Sequence, residues 1–262
     1  MTDSDAAPPV DQALAAEAPQ AHPWADLPPE QFRLLRLAPL QVDRHTGARP
    51  LRFVQFGRVE RHAKGQSLLR LSIQVPGQRP RKEHNLLDVW IDHRVKEVRF
   101  GPDKGLSVEP SNRGLGRFLL AQGIAWARQH CAHYQVEGAA LPAKDAFDDD
   151  SRARRDHCLK AQGFVVEYLD PLQLKAQYSA LQVSNLQAEW NSEKVQFVDL
   201  VDAAAMLEHA EHLLLEQEVK LRKQDERINA LKLEDSSLRF TIACLVAFCL
   251  FQAILLIWMA TR

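Results

Sequence analysis

Hydrophobic positions follow three different rhythms along the chain, and each predicts a different kind of element. From Phe240 to Ala260 the run FTIACLVAFCLFQAILLIWMA passes 21 residues without a charge, with Arg239 before it and Thr261 and Arg262 after it. At 1.5 Å of helical rise per residue this covers roughly 30 Å, the hydrocarbon thickness of a bilayer. Only Thr241, Gln252 and the cysteines Cys244 and Cys249 interrupt it, too few to make the polar face of a soluble core helix. The pattern predicts a single transmembrane helix at 240–260. With only two residues beyond it, the expectation is a tail anchor whose partner is the lipid bilayer, leaving the globular part in the cytoplasm.

Before this run the apolar period is seven. Leu200, Leu207, Leu214, Leu221 and Ile228 recur at that spacing, with Ala203, Ala210, Gln217, Gln224, Leu231 and Leu238 on the companion line three residues later. Such a seam, with Glu208, Glu211, Glu218, Lys220, Arg222 and Asp225 on the remaining faces, predicts a coiled-coil stalk over 198–238. The partner implied is a second copy of the chain, in a homo-oligomer that stands the globular part off the membrane. One long amphipathic helix folded back on the globular domain is the alternative.

Between residues 31 and 190 short β-like runs alternate with helical ones. Strands are expected at 68–75, 86–91, 95–100, 106–109, 134–141, 163–169 and 176–183, and helices at 114–130 and 151–162. This order predicts an α/β or layered α+β domain with a mixed sheet and flanking helices. Residues 1–30, with six prolines and no sustained apolar period, read as a disordered tail.

The net charge of −1 conceals an asymmetry. Residues 1–32 hold six acidic side chains and no Lys or Arg, whereas residues 33–128 hold 19 basic against eight acidic. No stacking aromatics interleave the basic stretch, so it suits phosphate groups or an anionic membrane surface, and nucleic acid is not expected as a partner. Cys131, Cys158, Cys244 and Cys249 have neither the number nor the spacing of a disulfide framework or zinc knuckle, which predicts a reducing compartment and no metal. Asp3 and Asp5 at the start, with no apolar run behind them, argue against a secretory signal.

The chemistry-bearing segment is LSVEPSNRGLGRFLL, residues 106–120. Read as a strand closing at Pro110 and a helix opening after Arg113, Gly114, Leu115, Gly116 and Arg117, it offers unpaired N–H groups and two guanidiniums at a helix start. That combination suits a phosphate or pyrophosphate. This stretch resembles the acetyl-CoA-binding motif of the GCN5-related N-acetyltransferase superfamily, Gln/Arg-x-x-Gly-x-Gly/Ala. RARRDHCLKAQGF at 152–164 resembles the superfamily's second motif, a helix followed by Gly-Phe and a strand.

The resemblance covers roughly residues 50–183. It implies a sheet splayed at its centre and acetyl-CoA as co-substrate, held by Val108, Ser111, Arg113, Gly114, Leu115, Gly116 and Arg117, with an amine as acceptor. Keeping the helix register, Gly114 and Gly116 match the small residues and Ser111 takes the Gln/Arg position. Placing Arg113 there instead puts Arg117 and Phe118 where small residues belong. The tyrosine that the family often uses as general acid is replaced by Leu159, with His157 and Cys158 the nearest substitutes. Glu109 leads the candidate general bases, followed by Glu97, Asp92 and His93, since a carboxylate or imidazole must take the proton of the acceptor ammonium. A catalytically silent fold that binds CoA or a protein partner is the other function these residues allow.

Overall fold

A computed structural model describes residues 22–43, 47–78, 84–102, 105–142 and 146–261. The expected disordered tail lies outside these residues up to position 21. Its last part, from His22, is built against the sheet, where the His22 ring meets Trp90 edge-on at 4.9 Å and Trp24 stacks on Trp90 at 6.2 Å. The chain divides into two compact units between Val198 and Asp199.

The first unit is a layered α+β fold. Its strands are β1 (Gln31–Leu37), β2 (Leu40–Asp43), β3 (Gly47–Arg49), β4 (Arg52–His62), β5 (Gln66–Gln74), β6 (Leu86–Asp92), β7 (Glu97–Gly101), β8 (Gln135–Ala140), β9 (Val165–Tyr168), β10 (Ala176–Ala180) and β11 (Val195–Val198). Helix α1 (Leu115–Cys131) joins β7 to β8, and α2 (Asp149–Ala161) joins β8 to β9. Among the described residues, nine strands form one mixed sheet in the order β11-β1-β4-β5-β6-β7-β8-β10-β9, and β2 with β3 makes a separate hairpin. Every neighbour in the large sheet is antiparallel except β7 and β8.

The side-chain period of two sorts the sheet into faces. In β6, Leu87, Val89 and Ile91 are buried beneath α1, while Asp88, Trp90 and Asp92 point to the other side, where they line a cleft. Helix α1 approaches the sheet closely because position 123 is glycine. A Cβ there would come within 2.9 Å of Val89 Cγ2 and 3.1 Å of Leu87 Cδ2. Phe118, Ile124 and Trp126 complete the contact from the helix side, each no more than 2% exposed. Their burial contributes roughly 1.5–3 kcal/mol per side chain.

Helix α2 opens on the acidic run Asp148, Asp149 and Asp150. Asp148 caps it by accepting from the Ser151 N–H at 3.1 Å, and Asp149 and Asp150 follow in the first turn, where the helix dipole favours negative charge. The hydrogen bonds from Ser151 hold the Asp148 carboxyl below its usual range against a smaller effect of burial.

Four segments differ from expectation. LSVE at 106–109 is not a strand; only Ser107 bridges to His84, and the strand that precedes α1 is β7, ending at Gly101. Gln31–Leu37 and Arg52–His62 form strands that the sequence reading did not single out. The sheet also takes in Val195–Val198, which pairs with β1, so the globular unit continues past residue 190.

The second unit is a single helix, α3 (Leu200–Thr261), 62 residues long. At 1.5 Å per residue its length is about 93 Å. The expected stalk and membrane segment are therefore one unbroken helix. Within it, Leu238–Met259 is long and apolar enough to cross a membrane and is exposed throughout.

Candidate active site

The parallel pair, sixth and seventh in the order of nine strands, is short. β7 and β8 share register only at Glu97 with Gln135 and at Val98 with Val136. Beyond these positions β7 continues to Gly101 and β8 to Ala140 without pairing to one another, so the sheet opens between them. The Phe100 carbonyl, past the last residue paired with β8, accepts from further along the sheet: the Tyr178 hydroxyl of β10 donates to it at 2.7 Å. Phe164 packs edge-on against both, 5.5 Å from the Phe100 ring and 5.4 Å from the Tyr178 ring. Three aromatic side chains thus fill the core side of the opening.

The connection from β7 to α1 is held in place by Asn85 and His84. The Asn85 N–H donates to the Ser107 carbonyl at 2.8 Å, its side-chain oxygen accepts from the Glu109 N–H at 2.6 Å, and the His84 Nδ1 lies 3.2 Å from the Ser107 hydroxyl. These contacts fix Glu109 at the margin of a cleft of about 1500 Å³ on the sheet face opposite α1. Asp26, Asp88, Asp92, Glu97, Glu109 and Glu137 line it, with Arg70 and Arg99 the guanidiniums among the described lining residues.

Arg70 is not free to balance the others. It forms a two-pronged cross-strand pair with Asp88 at 2.7 and 2.8 Å, which raises its pKa against the opposing effect of burial. The cleft therefore favours a cationic occupant. Of the candidate bases, Glu109, Glu97 and Asp92 lie on it. His93 does not: its ring sits between the Ser67 hydroxyl at 2.8 Å and the Tyr134 hydroxyl at 3.2 Å. Glu137, on β8, is a lining carboxylate that the sequence reading missed. Alternation along 135–140 could have placed it on the face opposite Val136.

The start of α1 has the expected conformation with a different use of its arginine. Gly114 is the N-cap in the left-handed region, φ 83°, where any other residue is strained, and it brings no capping side chain. The first helical bond runs from the Phe118 N–H to the Gly114 carbonyl at 3.0 Å, so the N–H groups of Leu115, Gly116 and Arg117 receive no acceptor from the helix itself. Ser111 is exposed, and Val108 packs beside Leu106 at the edge of the core. Both face Gly116, where a Cβ would make ordinary contact, 3.6 Å from Leu106 and 4.0 Å from Val108.

The Arg113 guanidinium, expected at the anion, is turned inward. Its Nη2 lies 3.2, 3.0 and 2.7 Å from the carbonyls of Leu37, Ala38 and Pro50, and the residue is 3% exposed. Burial, and then the charges of Arg52 and Arg49, lower its pKa. Arg49 donates to the Asn112 carbonyl at 3.1 Å, in the turn just before the helix start. Arg117 donates to the Glu189 carbonyl at 3.1 Å, and its charge opposes the burial that pushes the Cys158 thiol up to about 11.

Helix α2 separates the remaining candidates. Leu159 is buried in the core, Cys158 is half-buried and His157 is exposed; His157 is not among the residues that line the cleft with Glu109. Asp156 is 8% exposed, paired with Arg155 at 2.9 Å, and accepts from the Tyr168 hydroxyl. No group of three or more His, Cys, Asp or Glu side chains that could hold a metal occurs among the described residues. No protein-family model matches this chain, and no curated protein or solved structure is detectably similar to it.

Proposed function

We propose that the globular unit is an N-acyltransferase of the GCN5-related type, carried on a membrane-anchoring helix and facing the cytoplasm, that acylates an amine. The observation that carries this reading is the parting of β7 and β8 after Val98 and Val136, within an otherwise antiparallel sheet. An uncapped helix start lies at the end of the same connection. Acetyl-CoA supplies an activated acyl thioester when bound. Its pyrophosphate suits the N–H groups of Leu115, Gly116 and Arg117 and the positive field of Arg49, Arg52 and Arg113.

On the other sheet face the carboxylates of Glu97, Glu109 and Glu137 attract an acceptor ammonium. Glu109, held at the cleft margin by Asn85, takes its proton, because only the neutral amine has a lone pair for attack. With leucine at position 159, the proton for the departing thiolate comes from solvent or a bound water.

A second reading keeps the binding and drops the chemistry. It is favoured by Leu159, buried in the core at the position where the resemblance would put a general acid. Calorimetry with CoA, followed by release of free thiol from acetyl-CoA across a panel of amines, decides among the outcomes. Binding with turnover that rises as the amine deprotonates supports the enzyme. Binding without turnover supports the CoA-binding module, and absence of binding overturns both readings that place CoA here.

A further inference from the structure

Helix α3 carries one seven-residue register from end to end. The seam set by Leu200, Leu207, Leu214, Leu221 and Ile228 continues at the same spacing through Asp235 to Ile242, Cys249 and Leu256. Its companion line passes from Leu231 and Leu238 to Leu245, Gln252 and Met259. Because the helix is unbroken from Leu200 to Thr261, no loop resets the phase between its polar and apolar parts. The seam is exposed in both parts, as at Leu221, 61%, and Leu256, 64%.

We infer that the apolar segment continues a parallel self-association: a second copy of this chain packs along Ile242, Leu245, Cys249 and Leu256, and the Gln252 amides of the two copies hydrogen-bond to each other inside the bilayer. The inference rests on the reading of 198–238 as a self-associating stalk.

An amide has both donors and acceptors, and in hydrocarbon it has no water to satisfy them. In a parallel pair the two Gln252 side chains meet at the same depth, and each supplies what the other lacks. Gln217 and Gln224 occupy the same line 35 and 28 residues earlier, so the apolar segment repeats the polar seam pattern of the stalk.

The flanking charges select the parallel arrangement. Glu211, Glu218 and Asp225 each stand four residues after a seam leucine, whereas Lys220 and Arg227 stand six after one. These two columns face each other only when the chains run in the same direction, which brings Lys220 of one copy to Asp225 of the other. An antiparallel pair would set acids against acids. The like-charged contact that remains, Arg227 with Lys232, is a solvent-screened surface pair. Asp235, the charge on the seam itself, lies before the apolar run and is held by Arg239 at 2.9 Å.

Two native cysteines test the register. Cys249 is on the seam, and Cys244, two residues past the seam residue Ile242, faces outward. Burial pushes the globular thiols up, Cys131 to about 12 and Cys158 to about 11, so both react slowly at neutral pH. Full-length protein in phosphatidylcholine vesicles is treated with a mild oxidant, and the disulfide-linked pair is read on a non-reducing gel. The unmodified chain and Cys244→Ser are expected to cross-link strongly, and Cys249→Ser to fall to the background of the chain lacking both. Gln252→Leu is expected to lower association about threefold, the size of one interhelical hydrogen bond in a bilayer.

A separate chain with Leu221→Cys, in the Cys244→Ser and Cys249→Ser background, reports on the stalk alone. Cross-linking there without cross-linking at Cys249, or equal yields from Cys244 and Cys249, overturns the inference and leaves the stalk standing. Cross-linking at Cys249 alone keeps the contact in the bilayer and removes the stalk. Failure at both positions overturns both readings.

Discussion

The side-chain oxygen of Asn85 accepts from the main-chain N–H of Glu109 at 2.6 Å, while the Asn85 N–H donates to the Ser107 carbonyl at 2.8 Å. One residue thus grips the segment before α1 at two points, from a left-handed backbone conformation, φ 56°, that asparagine tolerates better than most residues. Asn85→Ala removes one bond and adds strain, and is expected to cost about 1–3 kcal/mol in urea unfolding. Glu109→Gln keeps the main-chain grip, so it is expected to cost less stability and to lower acyl transfer without lowering CoA affinity.

Arg113 is expected to act on stability before affinity. Removing a buried guanidinium leaves the carbonyls of Leu37, Ala38 and Pro50 without their donor. Hydrogen bonds to a charged group contribute about 1.5–3 kcal/mol, so Arg113→Ala should lower unfolding free energy by about 3 kcal/mol. Arg113→Lys should recover only part, because a single ammonium has a different donor geometry from the planar fork. If Arg113→Ala abolishes CoA binding while leaving the urea midpoint unchanged, the inward role is wrong.

Position 116 separates shape from charge. An alanine Cβ there makes ordinary contact with Leu106 at 3.6 Å, so Gly116→Ala should fold and bind CoA nearly as well as the parent. Gly116→Asp puts a negative charge at the helix start where phosphates would lie, and calorimetry should detect no binding while circular dichroism stays unchanged. Equal binding by the two variants would remove the phosphate from this loop.

Acid sensitivity should include a contribution from Glu60. Burial raises its pKa, but the hydrogen bond and charge of Arg58, the Trp126 indole N–H at 3.1 Å and the charge of His62 together outweigh it, leaving the carboxyl below 4.5. A group with a lowered folded pKa stabilises the protein above its unfolded value, and that stabilisation is lost as the pH falls through the folded value. Glu60→Gln is therefore expected to flatten the fall of the urea midpoint below pH 4.5, and an unchanged slope would exclude Glu60 as a contributor.

The apolar part of α3 predicts the partition of the whole molecule. The full chain should sediment with membranes and resist carbonate extraction, and a chain ended before Leu238 should stay in the supernatant. Full-length protein recovered from the soluble fraction without detergent would refute a membrane anchor.

What the sequence determined by itself was whatever depends on neighbours a few residues away. The helix expected at 114–130 is observed at Leu115–Cys131, and that expected at 151–162 at Asp149–Ala161, because period and capping are local properties of the chain. The apolar run of α3 was legible for the same reason. LSVE at 106–109 has the composition of a strand, yet a strand also needs a partner along its length, and this segment has one only at Ser107. Arg113 was legible as a cation beside a glycine turn, but its direction was set by carbonyls from residues 37, 38 and 50, which no local pattern brings near it. The acidic cleft is likewise tertiary: Asp88, Glu97, Glu109 and Glu137 converge because β6, β7, β8 and the connection into α1 present one face together. Side-chain period along a strand is written in the chain, whereas which strands lie side by side is decided only when the sheet closes.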